Sequence, residues 1–373
     1  MKVQMGKPDV GQEEIDAVRE VLNSGWLTSG RKVKEFEDKF AEFIGVKHAV
    51  AMNSCTSALF LATKALGITG EVIMPSFTFV ATANAVITAG AKPVFVDVEY
   101  DTGNIDPNCI ELAITPRTEA IMPVHFAGHP CEMGEVMRIA ERYGLAVIED
   151  SAETIGGTYR GKRTGSFGVG CFSFFPTKNM TTGEGGMLTT NDDQLAARVR
   201  ALVGHGLEKT PYERESTTCP WYRTAEYPGY NFRMTDIQGA VGLVQLKKLP
   251  EMNAVRWLFA RRYCKGLADV EEITLPTVRE GCEHVYQIFT IRIDPIVDRD
   301  QFVLALREKG VGAMVHFDPP LHHQDLYQQD VFLPVTDRLS ETIVTLPMFP
   351  QMSFEQVDYV VEMVKETLGE CLT

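Results

Sequence analysis

Lys178 lies in FFPTKNMTTGEGGML, residues 174–188, between an apolar run that stops at Pro176 and a tract carrying Gly183, Gly185 and Gly186. A lysine at a strand end is ordinarily a solvated surface charge. Here Pro176, which cannot donate to a sheet ladder, marks the end of the strand, and the glycines let the backbone turn sharply or come close to a ligand. The amine can therefore be directed into a pocket. Three other groups fall at comparable places. LAVIED (145–150) ends in Asp150, HAVAM (48–52) runs into Asn53-Ser54-Cys55-Thr56-Ser57, and EVIMP (71–75) runs into Ser76-Phe77-Thr78-Phe79. Taken singly, Asp150 reads as a helix cap, the serine and threonine run as an N-cap, and Phe79 as a core ring. Taken together they are an amine for a Schiff base, a carboxylate for a pyridinium nitrogen, small polar residues for a phosphate, and a ring to lie on a ring. That is the set pyridoxal 5'-phosphate needs.

For these groups to meet, the chain must form an open α/β sheet, where ligands gather at the carboxyl ends of the parallel strands. The hydrophobic pattern has that rhythm. Residues 9–24 and 33–44 are helical in period and are followed by Gly25 and Gly45. HAVAM, EVIMP, PVFVDV (93–98), AIMPVH (120–125) and LAVIED then alternate with helical segments near 56–66, 79–89, 106–114 and 132–143. GCFSFF and GGMLTT read as strands on either side of Lys178, and DDQLAARVRALVG as a helix. Between Gly206 and Gly229 a polar stretch without periodicity reads as a long loop, of the kind that is often functional. Further on come a helix at 250–268, a strand within HVYQIFTIRI (284–293), and helices at 299–309 and 354–368. The expectation is an α/β protein: a large domain, residues 1–246, with a mostly parallel central sheet flanked by helices, and a smaller C-terminal α+β domain, residues 247–373.

Composition narrows the function. With 373 residues, 45% hydrophobic and 23% charged, the chain can bury a large core without disulfides. Its eight cysteines are scattered, with no CxxC pair and no histidine-spaced cluster, which points to a reducing cytoplasm and to no structural zinc. The start MKVQMGKPDVGQEE has no apolar stretch of signal-peptide length, and no run reaches ~18 apolar residues, so neither export nor a membrane span is expected. A net charge of -14 argues against a nucleic-acid surface but leaves room for an anionic small ligand held by local N–H groups. His316, His322 and His323 come with no adjacent carboxylate or cysteine cluster, so they read as a loop at the cleft mouth rather than a metal site.

Five segments, NSCTSALFLATKALGI, PSFTFVATANAVITAGAKPVFVDV, IEDSAETIGGTYRGKRTGSFG, CFSFFPTKNMTTGEGG and GYNFRMTDIQGAVGLVQLKKL, together with VHFDPPLHHQ, resemble the DegT/DnrJ/EryC1/StrS sugar aminotransferases almost end to end. The resemblance implies a pyridoxal-phosphate enzyme of fold type I, like aspartate aminotransferase. It makes Lys178 the Schiff-base lysine and proton shuttle, Asp150 the partner of the pyridine nitrogen, and Phe79 the stacking ring. Thr56, the Cys55 backbone and Ser173 would hold the phosphate. Asn231 would be lent to the neighbouring subunit's phosphate site, so a homodimer is implied. Cys55 stands where many relatives have glycine, and Glu153 where many have glutamine, near the cofactor's phenolic oxygen. Arg233, His316 and His322 are candidate substrate contacts, with Arg223 a further cation beside the Asn231 motif.

The implied reaction moves an amino group from an amino acid, L-glutamate by resemblance, to a keto sugar, a nucleotide-linked 4-keto or 3-keto deoxyhexose. Other readings stay open here: a sugar dehydratase using the aminated cofactor, an aminotransferase of a free ketose or cyclitol, and a non-catalytic cofactor-binding regulator. The dehydratases resemble this fold with histidine in place of the lysine, and Lys178 speaks against them.

Overall fold

The computed structural model describes residues 1–215, 217–327 and 329–371. Its strands are His48–Met52 (β1), Glu71–Pro75 (β2), Lys92–Val96 (β3), Thr118–Ile121 (β4), Ala146–Asp150 (β5), Thr158–Tyr159 (β6), Lys162–Arg163 (β7), Val169–Ser173 (β8), Gly186–Thr190 (β9), Ile273–Thr274 (β10), Cys282–Glu283 (β11), Phe289–Ile293 (β12) and Ile343–Leu346 (β13). A seven-stranded sheet in the order β1-β9-β8-β5-β4-β2-β3 is parallel throughout except for β9, which runs antiparallel to both its neighbours. β5 is the central strand, so the chain end that carries Asp150 opens at the middle of the sheet. Its residues from Val147 to Asp150 are all buried, as a strand covered by helices on both faces requires.

Glu149, one residue before Asp150, fixes that strand end. Its buried carboxylate accepts N–H bonds from Gly165 (2.8 Å), Phe167 (2.8 Å) and Gly168 (2.9 Å), and lies 3.2 Å from His125 Nε2. Because His125 Nδ1 accepts from the Cys131 N–H (3.0 Å), Nε2 carries the ring's proton and points it at Glu149. Successive side chains on a strand face opposite ways, so anchoring Glu149 also aims Asp150.

The Arg31–Ile44 helix buries Val33, Phe36, Phe40 and Ile44 in a stripe against Phe172 and Phe174 of the β8 segment. The Cys55–Ala65 helix is buried nearly all round, because it packs between the sheet and its neighbouring helices. Asp236–Leu267 is one 32-residue helix, opened by a capping box in which Thr235 and Gln238 satisfy each other's backbone. The expected helix began at 250; the observed one begins at Asp236 and carries Pro250 inside it. Leu246, Leu249 and Met252 enter the large sheet's core, while Phe259, Tyr263 and Leu267 enter the core around β12 and β13. The 246/247 boundary therefore falls within a continuous helix shared by both cores. Val3 also belongs to the second core: its N–H reaches Gly310 O (2.9 Å) and its carbonyl accepts from Gly312 (2.8 Å). Within the loop between Gly206 and Gly229, residues Pro211–Glu215 form a short helix. Among the described residues no helix is long and apolar enough to cross a membrane.

Candidate active site

The Asp150 carboxylate, 5% exposed, closes β5. Thr82 Oγ1 donates to its Oδ2 at 2.9 Å, the Ala152 N–H donates to its Oδ1 at 3.2 Å, and Thr78 Oγ1 lies 2.8 Å from the Thr82 hydroxyl. Burial raises its pKa above the ordinary aspartate value; Thr82, Ala152 and the charge of Lys178 offset that only in part. A carboxylate so placed, bonded to neutral donors, gains from a cationic ring nitrogen set against it.

Lys178 sits on a turn held from several directions. Its N–H bonds Phe175 O (2.9 Å), Gln287 Nε2 donates to Thr177 O (2.9 Å), and Asn179 Nδ2 donates to Asn253 Oδ1 (2.8 Å). Gly183 adopts φ +82°, a conformation costly for any residue with a Cβ. The turn delivers Lys178 Nζ to Glu153 Oε1 at 3.0 Å, and Glu153 Oε2 accepts the Ala127 N–H at 2.8 Å. Burial alone would raise the Glu153 carboxyl, but the Lys178 ammonium, then His316 and the Ala127 N–H, outweigh it and hold the pKa below the usual value. Glu153 is thus ionised at neutral pH and shares the cleft with Lys178. His316 arrives from the C-terminal part, its Nδ1 2.8 Å from Thr345 Oγ1. Its pKa is lowered, chiefly by burial, against the opposing pull of Glu153.

The residues expected to hold a phosphate open the Cys55–Ala65 helix. Ser54 caps the Cys55–Ala65 helix by accepting the Ser57 N–H (3.1 Å), and the first N–H groups of that helix, from Cys55 and Thr56 on, have no intrahelical acceptor. Thr56 is exposed, whereas the Cys55 side chain packs into the core, leaving its backbone as its contribution. Burial pushes the Cys55 thiol up, so it stays neutral. A Cβ on Gly186 would lie 2.3 Å from the Ser54 carbonyl carbon, so only glycine lets β9 pass this close beneath the helix start. Ser173, at the end of β8, is 8% exposed, and its Oγ accepts weakly from Phe175 N–H at 3.4 Å. Phe79 is 62% exposed at the N-terminus of the Val80–Ala89 helix, so it is not the core ring of its alternative reading.

Other expected residues lie elsewhere in the single chain. Asn231 is exposed on a segment laid along the β1 edge, where Gly204 bridges Asn231 and Met52 bridges Arg233. Arg233 and Arg223 line a cavity of about 210 Å³ with Arg214, Lys209 and Arg200, and none of Lys178, Asp150 and Glu153 borders it. Burial, then Arg214, lowers the Arg233 pKa. His322 does not face the cleft: it is 4% exposed, with Ser76 Oγ 2.7 Å from its Nδ1, and its charged neighbours are His323, Asp337 and Asp97. Its place as a substrate contact is therefore corrected to a buried position behind the turn after β2, because the Leu321–His323 turn packs its ring inward. Sequence reading missed Thr82, whose only signal is its place one helical turn after Thr78, and the Ala127 N–H, which carries no side-chain signal.

Thr82 yields a testable expectation. Thr82→Ala removes a donor that lowers the Asp150 pKa, so that pKa rises further. Any activity that needs ionised Asp150 is present above this pKa and is lost as pH falls through it. The acid limb of the kcat profile is therefore expected to move to higher pH in Thr82→Ala, with kcat at neutral pH down about tenfold for one charge-assisted bond. An unshifted acid limb would assign Thr82 to packing alone.

Residues 8–365 match the DegT/DnrJ/EryC1/StrS aminotransferase family. The spore coat polysaccharide biosynthesis protein SpsC of Bacillus subtilis (strain 168) is 42% identical over 370 residues, covering 96% of this chain and 95% of that protein. The PLP form of the putative sugar aminotransferase Spr1654 from Streptococcus pneumoniae superposes with a TM-score of 0.93 at 30% identity, covering 100% of both chains. DesI, crystallised in the presence of its TDP-sugar product, does so with a TM-score of 0.89 at 32% identity, covering 98% of this chain and 92% of DesI. On a family match over residues 8–365 and a relative 42% identical across nearly the whole chain, this chain belongs to the DegT/DnrJ/EryC1/StrS aminotransferase family and is a sugar aminotransferase.

Proposed function

We propose that the protein transfers the amino group of L-glutamate to a nucleotide-linked 4-keto or 3-keto deoxyhexose, with pyridoxal 5'-phosphate as cofactor. The observation that carries the reading is the meeting of Lys178 and Glu153 at 3.0 Å beside the buried carboxylate of Asp150. The residues fit the cofactor: Asp150 for the ring nitrogen, the Cys55–Thr56 helix start, Ser173 and the partner's Asn231 for the phosphate, and Phe79 for the ring face. When bound, the cofactor supplies a protonated pyridine ring able to accept an electron pair. Asp150 keeps that ring nitrogen protonated. Lys178 Nζ takes the proton from the substrate carbon and returns it one carbon away, while Glu153 Oε1 anchors Nζ between these transfers. Glu153, ionised and 3.0 Å from Lys178 Nζ, would direct its charge to Lys178 and not to a bound cofactor.

DesI was crystallised with a TDP-sugar, and a diphosphate needs local cations on a chain of net charge -14. Arg223 and Arg233 supply them from the edge that also carries Asn231. The active sites of a homodimer would then each take this edge from the partner. The test is glutamate-dependent amination of keto sugars, followed as 2-oxoglutarate release. Nucleotide-linked substrates are expected to turn over at least about tenfold better than the free sugars. A nucleoside diphosphate should compete with the keto sugar while leaving the glutamate half-reaction nearly unchanged. Equal turnover of free and nucleotide-linked sugars would overturn the substrate class and favour an untethered ketose or cyclitol.

A further inference from the structure

Behind the turn that follows β2, the fold assembles a group that is dispersed in the chain. His322 and His323 lie on the 3-10 turn Leu321–His323, and Asp337 on the first turn of the Pro334–Thr342 helix. Their ligating atoms all lie within 4.8 Å of one another. Asp337 Oδ1 is 3.1 Å from His322 Nε2 and 2.8 Å from His323 Nε2, so two imidazole nitrogens converge on one carboxylate oxygen. His322 Nε2 is fully buried, and its approach to Asp337 meets an ion-pair distance but not the angle of a hydrogen bond, so this nitrogen lacks a bonded partner. Asp325 follows His323 by two residues, but the carboxylate that the fold brings to the two rings is Asp337.

The surroundings hold the ligands in place. Ser76 Oγ lies 2.7 Å from His322 Nδ1 and accepts the His322 backbone N–H at 3.0 Å. With an ion bound, the His322 tautomer that donates Nδ1–H to Ser76 would present its Nε2 lone pair to the metal, the arrangement an outer hydrogen bond imposes on metal-bound histidine. Asp97 accepts N–H bonds from Val335 (3.0 Å) and Thr336 (2.7 Å), together with the Thr336 hydroxyl (2.7 Å), and so fixes the helix start that presents Asp337. A tetrahedral site with bonds of ~2.0–2.1 Å sets its ligand atoms about 3.3 Å apart, close to the two nitrogen-to-oxygen separations here.

We propose that His322 Nε2, His323 Nε2 and Asp337 Oδ1 bind one divalent transition-metal ion of the zinc class, with water at the fourth position. His323 and Asp337 are partly exposed, which leaves a path for the ion and room for the water. The ion would tie the Leu321–His323 turn, which is hydrogen-bonded to Ser76 after β2, to the Pro334–Thr342 helix. It is a structural staple: the charged groups beside His322 are His323, Asp337 and Asp97, and Lys178, Glu153 and Asp150 are not among them. Nothing in this inference depends on the sugar substrate.

The test titrates zinc(II) into chelator-treated holoenzyme by calorimetry, beside His323→Gln and Asp337→Asn holoenzymes that retain the cofactor absorbance. One ion per chain is expected, with affinity reduced at least about tenfold in either variant, and about tenfold in Ser76→Ala through the outer hydrogen bond alone. Metal loading should raise the melting temperature of the wild type and not of the variants. Copper(II) bound at the site should show hyperfine structure from two nitrogens. Absence of binding, equal binding in all three proteins, or a sulfur-ligated copper signal from an exposed cysteine would each overturn the site. The cluster would then be an ion-pair network between Asp337 and the two histidines.

Discussion

Lys178→Ala is expected to abolish transamination, with a loss of at least about 10³-fold, because one side chain supplies both the covalent anchor and the proton transfer. The group at 3.0 Å from Nζ is Glu153, an ionised carboxylate, and neither it nor the nearby His316 can form the covalent anchor. In the wild type, borohydride should fix the cofactor chromophore to the peptide containing Lys178, and label on another lysine would sink the assignment. The same variant tests the shared dimer. Asn231 is exposed on a segment along the β1 edge. Mixing Lys178→Ala chains with Asn231→Ala chains should restore activity above either parent, since some sites in mixed dimers have both groups intact. Mixed dimers without such a gain would place Asn231 outside the site.

Asp150→Ala should retain the fold and the protein's cooperative melting, yet lose about 10²–10³-fold in kcat, the scale for removing one preorganised electrostatic group. The carboxylate is 5% exposed and bonded to Thr82 and Ala152, so no solvent ion replaces it. Asp150→Asn separates charge from shape. It can keep an oxygen toward Thr82 but cannot stabilise a protonated ring nitrogen, and its activity should fall nearly as far as that of alanine. Near-normal rates in Asp150→Asn would reduce Asp150 to a neutral hydrogen-bonding cap, since the amide keeps the shape and loses only the charge.

Much of this site was legible along the chain because its parts are marked by local rules. A strand that ends at Pro75, at Asp150 or shortly before Pro176 announces itself through period and punctuation, and each such end is where an open sheet gathers ligands. Lys178 and Asp150 could be paired from those ends alone, and Gly183 and Gly186 fulfil the turning and close-approach roles their positions implied. The long helix was legible only in its second half, because Pro250 has the same local signature inside a helix as at its start, and tertiary packing on both sides carries the helix through it.

What the amino-acid order determined by itself was the fold class, the family and the identity of the groups at each strand end, since these depend on spacing within a few residues. Only the tertiary structure decided which groups touch. Thr82 meets Asp150 across 68 positions, and Glu153 meets Lys178 across 25, contacts set by strand order and helix packing. The same closure turned His322 away from the cleft and brought Asp337 to it, and set Arg233 around a separate cavity on the outer edge. Side chains without a local pattern have no signal until the sheet and its helices fix the directions in which they point.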